Sequence, residues 1–330
     1  MLYNEKNYVG DKMNNSKMIS IVVPCYNEQE SLPFFYNETN EVMRKIGYNY
    51  EIILVDDGSK DRTLSVMKEL SEKDSHIKYY SLSRNFGKES AIYAGFCNAC
   101  GDYVTVMDAD MQDPPTLLPH MIEILESNDY DSVATRRVTR QGEPHIRSWF
   151  ARQFYRIINR ISDTNIVDGA RDFRLMRREM VDAIIKMCEY NRFSKGLFGW
   201  IGFRTYWLTF ENVERVAGKT KWSFCKLFKY AIDGILDFSS FPSYIPYIIG
   251  IPSTIISMIV IFVNIILKYV MHINISDLTF IIFAIIFMGG IQLCCLGVLG
   301  QYISKTYLET KQRPHFIISE TNNKNATRIK

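Results

Sequence analysis

From Met18 onward, short and wholly apolar runs alternate with longer segments whose apolar residues recur three or four positions apart. The first pattern predicts buried strands and the second predicts helices. Strands are expected at Met18 to Pro24, Tyr50 to Val55, Ile77 to Leu82, Tyr103 to Met107 and Tyr130 to Thr135. Helices are expected at about Glu30 to Ile46, Thr63 to Lys73, Lys88 to Cys100 and Ile146 to Ile161. Alternation at these lengths implies crossover units and an α/β, Rossmann-like fold, a mainly parallel sheet with helices on both faces. Ligands of such sheets collect at the carboxyl ends of the strands.

The pattern changes after about residue 220. Lys226 to Phe241 carries an apolar stripe with lysines at its start and is expected to lie as a helix on a membrane surface. Ile245 to Leu267 and Leu278 to Gly300 contain no charged residue. A bilayer-spanning helix needs roughly 20 apolar residues. Lysines and an arginine flank the pair on both outer sides, and one lysine lies in the short link, which predicts a hairpin with both ends in the cytoplasm. The expected organisation is a polar tail (1–17), a cytosolic catalytic domain (18–221), an interfacial segment (222–243), two spans (244–303) and a cytosolic tail (304–330), disordered from 319. The expected location is the cytoplasmic membrane.

Composition narrows the classes. The chain has 330 residues, 47% hydrophobic and 23% charged, with a formal net charge of +3, too small a surplus to suggest nucleic acid. Residues 1 to 17 lack the apolar core of a signal peptide. Seven cysteines at irregular spacing suit a reducing compartment, and Cys97 and Cys100 are read as packing residues.

Candidate chemistry gathers where the fourth expected strand ends, in Asp108-Ala109-Asp110-Met111-Gln112-Asp113. Two carboxylates one residue apart can share a hard divalent cation that phosphate oxygens also hold. That edge is a candidate metal-diphosphate site.

Five motifs stand in one order: Val22 to Glu28, Val55 to Asp61, Asp108 to Gln112, Asp172-Phe173-Arg174-Leu175, and Arg215 through Trp222. Together with the apolar hairpin they resemble the family 2 glycosyltransferases of GT-A fold. Within that family the chain is similar to the polyprenyl-phosphate sugar transferases, the group of dolichyl-phosphate mannose synthase and the bactoprenol glucosyltransferases. The resemblance implies a nucleotide pocket lined by Pro24, Tyr26 and Glu28, with Asp57 and Asp56 toward the base and Asp108 near ribose and metal. It also implies Mg²⁺ or Mn²⁺ on Asp110 with Asp108 and Gln112, and Asp172 beside the transferred sugar as base, binding or steering group. The implied reaction is inverting transfer of one sugar from a nucleotide donor, UDP-glucose first, to undecaprenyl phosphate for cell-envelope glycans. N-acetylglucosamine, galactose or an aminoarabinose derivative remain open, as does a membrane-tethered nucleotide-sugar binding protein without turnover. A phosphate acceptor is already ionised and asks for cations more than for a base. Arg136, Arg147, Arg215, Lys219 and Lys221 are the candidates to hold it. Further expected partners are the bilayer, a second copy of the chain, a separate flippase and a downstream transferase. No Gln-x-x-Arg-Trp element of the processive synthases is present, and Gln301 stands where relatives often carry Glu.

Overall fold

The computed structural model describes residues 17–137, 167, 169–190, 192–210 and 277–330, with six further positions between 252 and 266. Its described strands are β1 (Met18–Cys25), β2 (Asn49–Asp56), β3 (Ile77–Leu82), β4 (Tyr103–Val106), β5 (Ser132–Arg137), β6 (Ala170–Arg177), β7 (Thr205–Phe210) and β8 (Ile318–Thr321). The helices are α1 (Leu32–Ile46), α2 (Thr63–Lys73), α3 (Lys88–Asn98), α4 (Leu118–Ser127), α5 (Arg178–Lys186), α6 (Ser194–Trp200) and α7 (Asp277–Thr310).

The strands form one sheet in the order β7-β5-β6-β4-β1-β2-β3-β8. Strands β4, β1, β2 and β3 are mutually parallel, as the alternation predicted. The chain turns direction across the sheet between β1 and β4, and a crevice at the carboxyl ends of two strands that diverge in this way is where α/β sheets take ligands.

Alternation of side chains along the central strands divides the core in two. Ile19, Ile21 and Val23 of β1 and Ile52 and Leu54 of β2 face α1, α2 and α4 through Phe35, Met43, Met67, Met121 and Leu125. Val22, Ile53 and Val55 face the other way, toward Tyr93 and Phe96 of α3 and Met180 and Ile184 of α5. Helix α3 lies so close to β1 that a Cβ on Gly95 would fall 2.2 Å from Val22 Cγ1. Close approach of backbone to sheet explains the glycine there.

Three expectations need refinement or correction. The sheet is mainly parallel, as expected, but not wholly so: six of the eight described strands run one way, while β6 runs antiparallel to both β4 and β5, and β8 antiparallel to β3. Strand β6 reads poorly as a strand because Arg171, Asp172 and Arg174 interrupt its apolar residues. The segment from 319 is ordered, with Phe316 and Ile318 buried against Tyr80 and Tyr93 and the Asn98 side chain accepting from the Thr327 N–H at 2.8 Å. Its polar composition suggested disorder, but two apolar anchors and edge pairing with β3 suffice to hold it.

The third of these expectations concerns the apolar end of the chain. Among the described residues no helix is long and apolar enough to cross a membrane, which overturns the two-span cytoplasmic-membrane location. The second expected span falls within α7, which continues ten residues past Gly300 to Thr310 and carries Lys305 and Glu309. Most of the first expected span, the interfacial segment and the helix at 146–161 lie outside the described residues.

Candidate active site

The loops at the carboxyl ends of β1 and β2 are laced to each other. Asn27, in the left-handed region at φ 53°, donates its N–H to Ser59 Oγ at 2.9 Å, and its own Oδ1 accepts the Lys60 N–H at 2.9 Å. The Glu28 N–H donates to Thr63 Oγ1 at 2.8 Å, while the Glu28 carboxylate accepts from Ser31 Oγ at 2.7 Å. Pro24, Tyr26 and Glu28 are therefore half-buried on a braced rim beside the crevice.

Asp56 and Asp57 are turned into the protein. Asp56 accepts from the Ser59 N–H and the Ser81 hydroxyl, both at 2.9 Å. Asp57 accepts from the Phe86 N–H at 2.7 Å and the Gly87 N–H at 3.0 Å, so it holds the loop that leads into α3. Burial pushes its carboxyl up to about 6 against the opposing pull of those two N–H groups. Gly58 makes the turn possible: it adopts φ 64°, and a Cβ there would stand 2.6 Å from Arg84 C and Asn85 N.

The loop held by Asp57 delivers Lys88, the first residue of α3. Its ammonium lies 2.8 Å from Asp108 Oδ1 and 2.6 Å from Asp172 Oδ2, so it binds the end of β4 to β6 across the crevice. Burial opposes charge on Lys88, but Asp108 and Asp172 outweigh it and hold the lysine well above its usual range. Burial likewise opposes ionisation of Asp172, yet Lys88 first, then Lys195 and Arg171, hold its carboxyl well below the usual carboxylate range. Sequence reasoning missed Lys88. A signal was available: a lysine in a helix's first turn faces the positive end of the macrodipole and needs acids from elsewhere to hold it.

The acidic loop after β4 has its own anchor. Arg171 Nε lies 2.8 Å from Asp113 Oδ1, and the Arg171 Nη2 donates to Gln112 Oε1 at 3.5 Å. Asp113 is buried, and its Oδ2 has no hydrogen-bond partner. Burial raises the Asp113 carboxyl despite Arg171. Met111, at φ 60°, bends the loop so that Asp110 accepts the Gln112 N–H at 3.2 Å.

The structure thus brings Asp108, Asp110, Gln112 and Asp172 to one edge, next to the Pro24 to Glu28 rim. Arg136 is exposed near the end of β5, while Arg147, Arg215, Lys219 and Lys221 lie outside the described residues. Among the described residues no group of three or more acidic, histidine or cysteine side chains is placed to hold a metal ion by itself.

The model of glycosyl transferase family 2 matches residues 20–185, the stretch from within β1 through most of α5, which contains every acid of the crevice. The chain belongs to this family. An inferred glycosyltransferase of Bacillus subtilis, CsbB, is 42% identical over 305 residues, covering 92% of either chain. The prophage bactoprenol glucosyl transferase homolog of Escherichia coli is 38% identical over 309 residues, covering 91% of this family 2 transferase and 98% of the relative. The bactoprenol glucosyl transferase of Shigella phage SfII is 38% identical over 307 residues, covering 93% and 99%. Among solved structures, glucosyl-3-phosphoglycerate synthase of Mycobacterium tuberculosis with Mn²⁺, UDP-glucose and phosphoglyceric acid is 16% identical at a TM-score of 0.45, covering 67% of this chain and 79% of that one. Likeness at that level is too loose to carry a ligand or a role across.

Proposed function

We propose that this family 2 transferase moves one glucose from UDP-glucose to the phosphate of a polyprenyl phosphate, with inversion at the anomeric carbon. Near-full-length similarity to proteins named bactoprenol glucosyl transferase supports the reading. The observation that carries it is the Lys88 ammonium seated between Asp108 and Asp172. Transfer to a sugar hydroxyl calls for a general base, and a carboxylate ion-paired at 2.6 Å to a lysine has little affinity for a proton. A phosphate monoester, with a second pKa of about 6, attacks without losing one. The acceptor phosphate oxygen bonds to the anomeric carbon as the bond from that carbon to the UDP oxygen breaks, and UDP leaves.

In this reading Pro24, Tyr26 and Glu28 wall the nucleotide pocket. Asp56 and Asp57 contribute by shaping it, because both carboxylates bind the loops that form its floor. Asp108 and Asp110, with the amide oxygen of Gln112, would hold Mg²⁺ or Mn²⁺. The donor chemistry fits, since hard oxygens are what either ion takes, and an ion that arrives with a diphosphate needs only one or two carboxylates from the protein. When bound, the ion supplies Lewis-acid stabilisation of the leaving diphosphate. Asp172, kept ionised, orients the transferred sugar through its hydroxyls, and Lys88 keeps Asp172 and Asp108 in register.

The test is transfer of radiolabel from UDP-glucose, UDP-N-acetylglucosamine and UDP-galactose into organic-extractable lipid, with undecaprenyl phosphate and Mg²⁺ or Mn²⁺. Label from UDP-glucose alone, lost in Asp110→Ala or with chelator, is the expected result. Label from another donor would replace the sugar, and label only on soluble glycans would remove the lipid acceptor.

A further inference from the structure

Beside the acids, on the α3 face of the sheet, lies a cavity of about 240 Å³. Its polar lining includes Arg174 of β6 and Lys195 of α6, and its apolar walls include Val167, Phe198, Phe203 and Trp207. Arg174 is only 3% exposed, and its Nε is buried with no hydrogen-bond partner. The guanidinium instead lies 3.9 Å from the centre of the Phe198 ring and 5.8 Å from that of Trp207. Among the described residues no carboxylate forms a salt bridge with Arg174 or with Lys195. A buried cation without a salt-bridge partner is costly, and a ring face recovers only part of what water supplied.

The cavity is joined to the reaction edge. Arg174 lies two residues beyond Asp172 on β6 and so shares its face of the strand. Lys195 follows Ser194, whose hydroxyl and N–H both donate to the Glu89 carboxylate next to Lys88. Lys195 also contributes to holding Asp172 ionised, which places its charge within electrostatic reach of the reacting edge.

We infer that this cavity is the seat of the acceptor's head group: the phosphate is held by Arg174 and Lys195, and the first carbons of its apolar chain lie against Phe198, Phe203 and Trp207. The inference rests on the proposed polyprenyl-phosphate reaction and adds a phosphate subsite that the basic residues Arg136, Arg147, Arg215, Lys219 and Lys221 had been expected to supply. Three features fit one ligand class. A guanidinium fork suits phosphate, the paired cations suit a dianion, and the apolar walls suit a hydrocarbon chain. With a water occupying about 30 Å³ of liquid, the space equals about eight waters in volume, enough for a phosphate and a short stretch of chain.

The experiment titrates the full-length protein with farnesyl phosphate, farnesol and inorganic phosphate, reading tryptophan fluorescence and heat of binding. Farnesyl phosphate should bind, the fluorescence change should vanish in Trp207→Phe, and affinity should fall about tenfold or more in Lys195→Gln and in Arg174→Met. The second variant guards against misfolding in the other. Wild-type affinity in both cationic variants would overturn the assignment, as would farnesol binding as tightly as its phosphate. Inorganic phosphate matching farnesyl phosphate would remove the apolar part of the ligand and overturn the head-group seat. Glucose transfer to undecaprenyl phosphate is measured in parallel. Binding here without transfer would defeat the functional reading and leave the pocket, whereas transfer with unaltered binding in both variants would defeat the pocket alone.

Discussion

Two of the arginines of strand β6, Arg171 and Arg174, have opposite electrostatic circumstances. Arg171 is matched: it lies 2.8 Å from the buried Asp113, and Asp108 and Asp172 add to its stabilisation, so its pKa rises although burial opposes it. Arg174 is unmatched: burial pushes its pKa down to about 9, with only Asp172 pulling back, and Phe198 beneath it. It remains cationic at neutral pH all the same. The acidic edge of the crevice is thus partly neutralised from within by Lys88 and Arg171, while the adjoining cavity holds positive charge in reserve. In the proposed reaction, a site that releases a nucleoside diphosphate and accepts a phosphate would benefit from separating the two tasks in this way.

The largest effect expected from breaking the comparison is at Arg171. Arg171→Met leaves Asp113 buried without its partner and should cost about 3–5 kcal/mol of stability, read from urea unfolding. A loss below about 1 kcal/mol would mean that Asp113 is not held by this pair. The next effect is in pH. Asp57 binds its proton more tightly folded than unfolded, because its carboxyl rises from 3.8 to about 6. The stability it contributes is therefore full below about pH 4 and lost as pH rises through about 6, a change of roughly 3 kcal/mol. Asp57→Asn should remove that component, so the difference in unfolding free energy between wild type and variant should change across this window. Parallel curves would show that Asp57 is not the titrating group.

At Lys88 the readout is catalytic. Lys88→Met should lower kcat/KM for glucose transfer about 100-fold, because Asp108 and Asp172 lose the cation they share. Activity within threefold of wild type would remove Lys88 from the machinery. Gly58→Ala should cost about 2 kcal/mol, since a side chain at positive φ would also meet the Arg84-Asn85 backbone; denaturant midpoints check this. The smallest effect sharpens the contrast most. Arg174→Met should leave stability within about 1 kcal/mol of wild type, because the substitution removes a charge that had no partner to strand.

The legibility of this molecule followed the range of its interactions. Strands β1 to β5 and helices α1 to α3 show in the apolar periodicity within a few residues of where they occur, because burial of one face is a local demand on sequence, whereas α4 (Leu118–Ser127) was not read from it. The acids after β4 were equally legible, since a strand's end and the residues after it are adjacent in the chain. Asp56 and Asp57 were read as residues facing a nucleotide base, but their surroundings come from loops about 25 to 30 residues away, at Ser81 and at Phe86 and Gly87. The apolar window at 278–300 was read as a span from its lack of charge, whereas the helix that contains it continues to Thr310 and does not meet the requirement.

By itself, then, the sequence determined an α/β unit with its carboxylates at one edge, and family membership through motifs whose order is kept. Tertiary structure alone decided which charges meet. Lys88 reaches Asp108 across 20 residues and Asp172 across 84, β6 enters the sheet antiparallel to β4, and the end of the chain adds a strand to β3. It also decided that Arg171 finds an acid and Arg174 a ring. Such pairings leave no periodic trace, because they depend on where two distant segments come to lie and not on the residues beside each one.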